Sequence, residues 1–340
     1  MKTISLFKSS FWISSSTFIT RFFALASNLV LARLLLPSDF GVIGIAYIFW
    51  SLFTLFTQDT TGSFILYKGT EDKRYLNTTY TISVAIGLTF AILMSLSAPG
   101  IARFFNEPNL TWILVLYAFN ILMSSVYYVY IKIMTRQMQY RELAQITLIG
   151  SFTRLLFTIV SALLGFRYWS FAIGDSAFWI LGCILSRYKS GQNLKLKIDA
   201  TVKSEVLSYT LAATGSNIGF YINANSDNFF VGKLLGNTSL GYYNLAYQLT
   251  MALSTIFNSV IAQLGTPIFA NLEDKEEQEN ALFKVVKHTA FITAPIYALF
   301  FILINENFIS LVFSPKWAPI SIVIPWLLVF AYFRNINSPL

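Results

Sequence analysis

The sequence contains little of what soluble enzymes use for chemistry. Its 340 residues include one cysteine, Cys183, and one histidine, His288. A single cysteine excludes an internal disulfide and a cysteine-based metal cluster, and a single histidine argues against a histidine-rich metal site or a Ser-His-Asp triad. Charged residues make up only 12% of the chain, whereas soluble domains have roughly 25%. The sequence therefore predicts no metal site and no catalytic nucleophile.

Hydrophobic residues, in contrast, form 55% of the chain, and aromatic residues form 17%. A chain this apolar cannot hide its nonpolar surface from water by folding on itself, so its surroundings must be largely lipid. A helix needs about 20 apolar residues to cross a membrane core of ~30 Å. The prediction is an all-α polytopic membrane protein with ten spans, at residues 10–32, 40–58, 77–102, 110–131, 144–166, 168–186, 206–232, 239–270, 285–305 and 318–338.

The positive charges are distributed unequally between the two sides of these spans. Of the 24 lysines and arginines, 17 lie in segments on the side of the N-terminus, and 5 lie in the loops on the other side. Cytoplasmic segments are enriched in Lys and Arg, so we expect a cytoplasmic N-terminus. The same residues explain the net charge of +8 without a nucleic-acid partner, because they set topology and contact anionic lipids.

An internal repeat relates residues 32–47 to residues 232–247, with five of sixteen aligned positions identical. Both segments form an outside turn that leads into a span, and Ser38 and Thr238 are predicted to N-cap the helices that follow. Six predicted helices precede the second copy, so both halves start on the same side of the membrane. This indicates a parallel repeat of two bundles around a central cavity.

The repeat predicts an N-terminal six-helix bundle at residues 1–190, a cytoplasmic basic linker at 191–205, and a C-terminal bundle at 206–340. The second bundle has only four predicted helices, whereas a full repeat would continue beyond residue 340. We therefore expect the sequence to be truncated at its C-terminus.

Polar side chains recur at helical spacing inside several spans, two of which contain an arginine near the middle. A mid-span arginine costs about 2.5–3.5 kcal/mol on insertion scales, so it normally faces a partner or water. Guanidinium groups suit phosphate because their planar fork donates two parallel hydrogen bonds. The stripes predict a cationic cavity for an anionic ligand. Its candidate lining residues are Arg21, Arg154, Asn28, Asn217, Asn225, Asn244, Gln248 and Asn258.

These residues also have a purely structural interpretation. Ser, Thr and Asn often form hydrogen bonds between packed helices in membranes, and the arginines could form ion pairs with Asp175 or Asp227. Either aspartate could instead titrate and couple transport to protons or sodium ions. The sequence leaves these alternatives open.

Residues 29–56, LVLARLLLPSDFGVIGIAYIFWSLFTLF, closely resemble the first loop and second helix of Wzx-type polysaccharide flippases. These form the polysaccharide-transport branch of the multidrug/oligosaccharidyl-lipid/polysaccharide exporter superfamily. Residues 227–249, DNFFVGKLLGNTSLGYYNLAYQL, resemble the matching segment of the second half. The resemblance covers most of the chain.

The resemblance implies a transporter that moves undecaprenyl-diphosphate-linked oligosaccharide repeat units across the bacterial inner membrane by alternating access. The product would serve O-antigen, capsule or exopolysaccharide assembly. The implied partners are the polyprenyl-diphosphate-linked oligosaccharide, membrane lipids and other polysaccharide assembly proteins. A cationic cavity is a feature of related flippases, and Arg21 and Arg154 match it by location rather than by motif. No cofactor is expected apart from a coupling ion, H⁺ or Na⁺.

Two other functions are alternatives to the flippase. A cation-coupled multidrug exporter of the same superfamily would carry an acid in the first-bundle cavity, whereas span 10–32 offers Arg21 and no acid. A membrane glycosyltransferase or polymerase would need acidic catalytic residues on sizeable outside loops, and the outside loops here are short. Both alternatives fit the sequence less well.

Overall fold

The computed structural model describes residues 2–58, 61–270 and 274–336, with side chains described at 12–57, 61–212, 219, 221–251, 254, 274 and 276–336. All regular secondary structure in these ranges is helical, which confirms the predicted all-α fold. The helices are α1 (Lys2–Leu34), α2 (Pro37–Gln58), α3 (Thr61–Lys68), α4 (Lys73–Phe104), α5 (Leu110–Arg136), α6 (Tyr140–Leu163), α7 (Trp169–Ser190), α8 (Ala200–Ala270), α9 (Lys275–Leu303), α10 (Glu306–Val312) and α11 (Ile320–Ile336).

Seven helical segments in the described part of the chain are long and apolar enough to cross a membrane. The predicted spans 206–232 and 239–270 correspond to the two parts of α8, which is interrupted at Gly236 by a non-helical backbone (φ 80°, ψ 176°). The predicted span 318–338 corresponds to α11, a shorter apolar helix. The positive φ at Gly236 lies in the left-handed region, where a residue without a Cβ is favoured.

The start of α2 is capped by an aspartate. Pro37 is the first residue of the helix, and the carboxylate of Asp39 accepts a hydrogen bond of 2.9 Å from the backbone N–H of Leu36. This is the reciprocal half of a capping box, in which the third helical residue bonds back to the cap position. The prediction that Ser38 caps α2 was wrong, because Ser38 lies inside the helix. Thr238 likewise lies two residues beyond the break at Gly236.

The chain forms two compact units, Met1–Thr238 and Ser239–Leu340. In the first unit, α5 packs against α2, α4 and α7, and α6 packs against α1 and α7. Two of these helix pairs approach closely at a glycine: Gly87 lies against Ser125 of α5, and Gly174 of α7 lies against Thr158 of α6. Small residues allow such close approach between membrane helices. The division into lobes at residues 191–205 stays a prediction.

The second unit contains the later part of α8 with α9, α10 and α11. Ser254 of α8 shares a hydrogen bond of 2.8 Å with the Tyr297 hydroxyl of α9. Arg334 of α11 donates to the Tyr247 hydroxyl at 2.8 Å. These bonds connect α8 to α9 and α11 within this unit.

Candidate functional site

Four helices of the first unit bring Arg154, Asp175, Tyr47 and Tyr117 together, and we call these residues the Arg154–Asp175 cluster. Arg154 Nε lies 2.5 Å from Asp175 Oδ1. The other carboxylate oxygen, Oδ2, accepts hydrogen bonds from the hydroxyls of Tyr47 (2.7 Å) and Tyr117 (2.6 Å). Arg154 Nη2 also donates to the Tyr47 hydroxyl oxygen at 2.9 Å. The cluster joins α6, α7, α2 and α5, and its two charges cancel.

The cluster supplies the ion pair and the hydrogen bonds that an almost entirely buried carboxylate needs. The Asp175 side chain is only 8% exposed, and a buried charge is tolerated when it is paired and hydrogen-bonded. One guanidinium and two phenol hydroxyls meet this requirement. Of the two acids that the sequence offered as partners for Arg154, the structure selects Asp175.

Arg154 itself is not fully enclosed, since 43% of its side chain remains exposed. Gly150, Thr158 and Ser161 share its face of α6 and are buried, whereas Phe152 and others on the opposite face are exposed. The exposed part of Arg154 therefore does not lie on the lipid-facing side of α6. A guanidinium has five N–H donors, and those not used for Asp175 and Tyr47 have no acceptor in the described part of the chain.

Aromatic side chains flank the cluster. The Trp50 ring of α2 lies 6.2 Å from Tyr47, 6.3 Å from Tyr117 and 6.0 Å from Trp179, measured between ring centroids. The indole Nε1 of Trp50 is buried and has no hydrogen-bond partner among the described residues. The charged cluster is therefore bordered by aromatic rings of α2 and α7.

Arg21 differs from Arg154 in having no acidic partner. Its side chain is exposed on α1 and forms no ion pair with any acid in the described ranges. Asn28, on the same face two turns later, is half-buried. The helices that carry Arg21 and Arg154, α1 and α6, pack directly against each other.

The predicted site residues of α8 fall in different places. Asn225 donates to the backbone carbonyl of Tyr221 (3.1 Å), and Asp227 accepts from the backbone N–H of Asn228 (2.8 Å), both in the first unit. In the second unit, Asn244 is half-buried and Gln248 is exposed. The side chains of Asn217 and Asn258 lie outside the described residues. The shared cavity predicted for these residues stays a prediction.

Sequence reasoning missed a set of contacts at the end of the first unit that carries the α4–α5 turn, which we call the 105–109 end. The Asn237 amide donates to Glu107 Oε2 at 2.5 Å. Lys233 Nζ donates to the Phe104 carbonyl at 2.5 Å and lies 4.0 Å from the Phe104 ring centroid. Gly41 packs against the Asn237 backbone. The internal repeat was the available signal, because Gly41 and Asn237 belong to its two copies.

An ion pair at the 105–109 end was also missed. Asp39 Oδ1 lies 3.0 Å from Arg167 Nη2, and the Asp39 side chain is buried. Asp39 therefore both caps α2 and connects it to the α6–α7 turn. Its position in the first turn of α2 gave no sign of a partner 128 residues away in the sequence.

The arrangement of helices resembles that of two solved transporters. For the lipid II flippase MurJ in an inward closed conformation, the TM-score is 0.70 at 16% identity, covering 96% of this chain and 74% of the other. For an inward-facing multidrug resistance MATE family transporter of the MOP superfamily, it is 0.66 at 13% identity, covering 97% and 85%. At such identities the likeness shows the fold alone.

A family model described as polysaccharide biosynthesis protein matches residues 30–322. The chain belongs to this family, which confirms the relationship indicated by residues 29–56. The relatives include the lipopolysaccharide biosynthesis protein WzxC of Escherichia coli (strain K12), 22% identical over 351 residues, and the succinoglycan biosynthesis transport protein ExoT of Rhizobium meliloti (strain 1021), 21% identical over 292 residues. The matches cover 100% and 85% of this chain, and the chain spans 69% of WzxC and 58% of ExoT.

Proposed function

We propose that this protein flips polyprenyl-diphosphate-linked oligosaccharide repeat units across the bacterial inner membrane, by alternating access, for O-antigen, capsule or exopolysaccharide assembly. The family, a relative named as a transport protein and a fold shared with a lipid II flippase support this function. Flipping breaks and forms no covalent bond, so we propose no enzymatic activity.

The physical problem is to move a charged diphosphate and a polar sugar through hydrocarbon. Burying a charge without a partner is prohibitively costly, whereas a lipid tail can stay in the bilayer throughout. A protein path must therefore supply hydrogen-bond donors that replace water around the diphosphate. Arginine suits this role because its fork donates parallel hydrogen bonds to phosphate oxygens.

The observation that carries the proposal is the partial exposure of Arg154 on the inward face of α6. Asp175 balances its charge in the absence of substrate, and the N–H groups that point away from the cluster remain for phosphate oxygens. Arg21 adds an uncompensated positive charge on α1, which packs against α6. The two arginines therefore lie on helices that pack against each other.

We further propose that the N-terminus is cytoplasmic, which places the 105–109 end on the outer side of the membrane. In this orientation the contacts of Gly41, Glu107 and Asn237 close the outer end of the first unit. Release of substrate outward would require these contacts to part. Coupling to H⁺ or Na⁺ through Asp175 would require Arg154 to leave the carboxylate, and Asp227 is the alternative coupling residue.

The experiment replaces Arg21 and Arg154 separately by Ala and by Lys in cells that depend on this protein for surface polysaccharide. Surface polysaccharide and lipid-linked precursor are measured together. We expect the Ala variants to lose export while precursor accumulates on the inner leaflet, and the Lys variants to retain part of the activity because the charge remains. Arg103→Ala is the matched control, since Arg103 is exposed at the 105–109 end.

Normal export in both Ala variants would overturn the proposed role of the arginines. Vesicles containing the purified protein separate the proposal from the multidrug alternative. We expect flipping of a fluorescent lipid-linked diphosphate sugar and no efflux of cationic dyes. Dye efflux without flipping would favour the exporter.

A further inference from the structure

The segment between α7 and α8, residues 191–199, is extended and lies along the start of α4; we call it the strap. At every second residue from Lys195 to Asp199, the backbone N–H of the strap donates a hydrogen bond to a polar side chain of α4. The strap is therefore a fixed element and not a free linker. The bonds run from the N–H of Lys195 to Asn77 Oδ1 (2.9 Å), from the N–H of Lys197 to Thr81 Oγ1 (2.9 Å) and from the N–H of Asp199 to Thr78 Oγ1 (3.0 Å).

Apolar and basic residues alternate along the strap. Leu194 packs against a buried cluster that includes Ile65 and Leu76, but Leu196 is 68% exposed and Ile198 is 47% exposed. Successive side chains of an extended chain point to opposite sides. The exposed leucine and isoleucine are therefore opposed to Lys195 and Lys197, which are also exposed. A loop that only connects helices in water has no reason to expose this apolar side.

The length of α4 indicates how deep the strap would lie in a membrane. Helix α4 has 32 residues, which is about 48 Å at 1.5 Å per residue. The hydrocarbon core is about 30 Å thick and the whole bilayer about 40–45 Å. A helix centred in the bilayer therefore extends about 9 Å beyond the core at each end. Asn77 and Thr78, about 6 and 7.5 Å from the start of α4, fall in the interfacial layer, and Thr81, about 12 Å from the start, lies at the edge of the hydrocarbon. At that depth apolar side chains can reach acyl chains while lysines reach phosphates.

A cleft of about 540 Å³ opens at the start of the strap. The Arg187 side chain lines it and makes no hydrogen bond or ion pair with the described part of the chain. The neighbouring Tyr188 is 83% exposed, and tyrosines are enriched at membrane interfaces. Gln192 and Asn193 add polar groups to the same cleft. This combination suits a phosphate with an adjoining polar headgroup.

The single acidic residue of the strap is outnumbered by the basic residues of the strap and the cleft. Asp199 Oδ1 accepts hydrogen bonds from both the backbone N–H and the hydroxyl of Thr201, which fix it at the start of α8. These bonds lower the pKa of the Asp199 carboxyl. The Asp199 carboxylate therefore stays ionised, but the three basic residues Arg187, Lys195 and Lys197 outnumber it and leave the surface net positive.

We propose that the strap and the Arg187 cleft bind the headgroup of an anionic phospholipid, with Leu196 and Ile198 inserted among its acyl chains. The proposal rests on the membrane location of the helices and not on the transported substrate. A bound lipid at this position would anchor the connection between α7 and α8 to the bilayer.

The test measures how purified protein retains phosphatidylglycerol relative to phosphatidylcholine by native mass spectrometry. Each basic residue near an anionic surface contributes about 1 kcal/mol, which is about fivefold in affinity. We therefore expect Arg187→Gln to lower the preference for phosphatidylglycerol about fivefold, and Lys195→Gln/Lys197→Gln to lower it further. The matched control, Lys284→Gln/Lys287→Gln, removes two exposed charges from α9 and should lower the preference less than the strap double variant, because these lysines do not line the Arg187 cleft.

A second measurement addresses the apolar side of the strap. In a Cys183→Ser background, an environment-sensitive fluorophore is attached through Leu196→Cys in nanodiscs of phosphatidylcholine and phosphatidylglycerol. We expect emission typical of an apolar environment. Three results would each overturn the proposal. The first is an unchanged preference for phosphatidylglycerol in the Arg187 and strap variants, and the second is an equal loss of that preference in the control. The third is emission from the fluorophore that is typical of water.

Discussion

Gly41 of α2 lies directly against the backbone carbonyl of Asn237, and a Cβ at position 41 would overlap that oxygen. The Asn237 side chain is in turn bonded to Glu107 in the α4–α5 turn. The two copies of the internal repeat therefore meet at the 105–109 end, where the absence of a side chain at position 41 permits the contact. In the proposed orientation this is the outer end of the first unit.

Gly41→Ala should separate α2 from the Asn237 backbone. Overpacking of this kind costs about 1–3 kcal/mol, so we expect a lower thermal stability of the purified protein and reduced export. Gly100→Ala is the control, because a Cβ at Gly100 would meet no atom within 4 Å. Equal stability of the two variants would show that the contact does not hold this end closed.

Breaking the ion pair from one side should destabilise the first unit. Asp175→Asn leaves the guanidinium unpaired, and Arg154→Gln leaves a buried carboxylate with only its two tyrosine donors. We expect each substitution to lower the free energy of unfolding by about 3 kcal/mol, the lower end of the range for breaking a buried ion pair. The lower end applies because 43% of the Arg154 side chain is exposed. Thermal unfolding in detergent measures this. Wild-type stability in both single variants would contradict the assigned pairing.

Tyr117→Phe should remove one donor from Asp175 without changing the volume of the side chain. Loss of a hydrogen bond to a buried charged group costs about 1.5–3 kcal/mol. Tyr80→Phe is the matched control, because the Tyr80 hydroxyl forms no hydrogen bond among the described residues. We expect a lower unfolding temperature for Tyr117→Phe and not for Tyr80→Phe. Equal unfolding temperatures for the two variants would contradict a stabilising hydrogen bond from Tyr117 to Asp175.

Acid should weaken the contact between α8 and α3. Glu205 accepts hydrogen bonds from Lys68 Nζ and the Tyr75 hydroxyl, each at 2.7 Å. These bonds, above all the one from Lys68, lower the pKa of the Glu205 carboxyl. Because the lowered pKa belongs to the folded state, the stabilisation is complete above the ordinary value of about 4.3 and is lost as pH falls through the lowered value.

Glu205→Gln should therefore lose less thermal stability than the wild type when the protein is taken from about pH 6 to about pH 3. Glu71→Gln serves as the control, since Glu71 is exposed and forms no ion pair in the described ranges. An acid dependence that is the same in Glu205→Gln and wild type would mean that this carboxyl contributes nothing measurable.

The positions of the helices follow largely from apolar segments of membrane-spanning length. Helix α5 (Leu110–Arg136) contains the predicted span 110–131, and helix α7 (Trp169–Ser190) corresponds to the predicted span 168–186. Both helices continue beyond the predicted span at their polar C-terminal ends. Hydropathy marks the part of a helix inside hydrocarbon, whereas backbone hydrogen bonding continues into the interface. The sequence therefore predicts where helices cross better than where they end.

The candidate site was predictable only in part. The cost of burying Arg154 predicts a partner or water, but the choice between Asp175 and Asp227 depends on which helices pack together. Tyr117 gave no signal, because it lies in an apolar stretch of a chain that is already 17% aromatic. The strap was predicted as a basic linker, and its bonds to Asn77 and Thr81 depend on tertiary packing that charge patterns do not reveal.

The most direct test of the proposed function is export by the double variant Arg154→Gln/Asp175→Asn. Removing both charges leaves no unpaired ion, so we expect the double variant to be more stable than either single variant. If Arg154 binds the diphosphate, this folded variant will still lose surface polysaccharide and accumulate lipid-linked precursor. Wild-type export from the stable double variant would show that the pair is structural and would contradict the account.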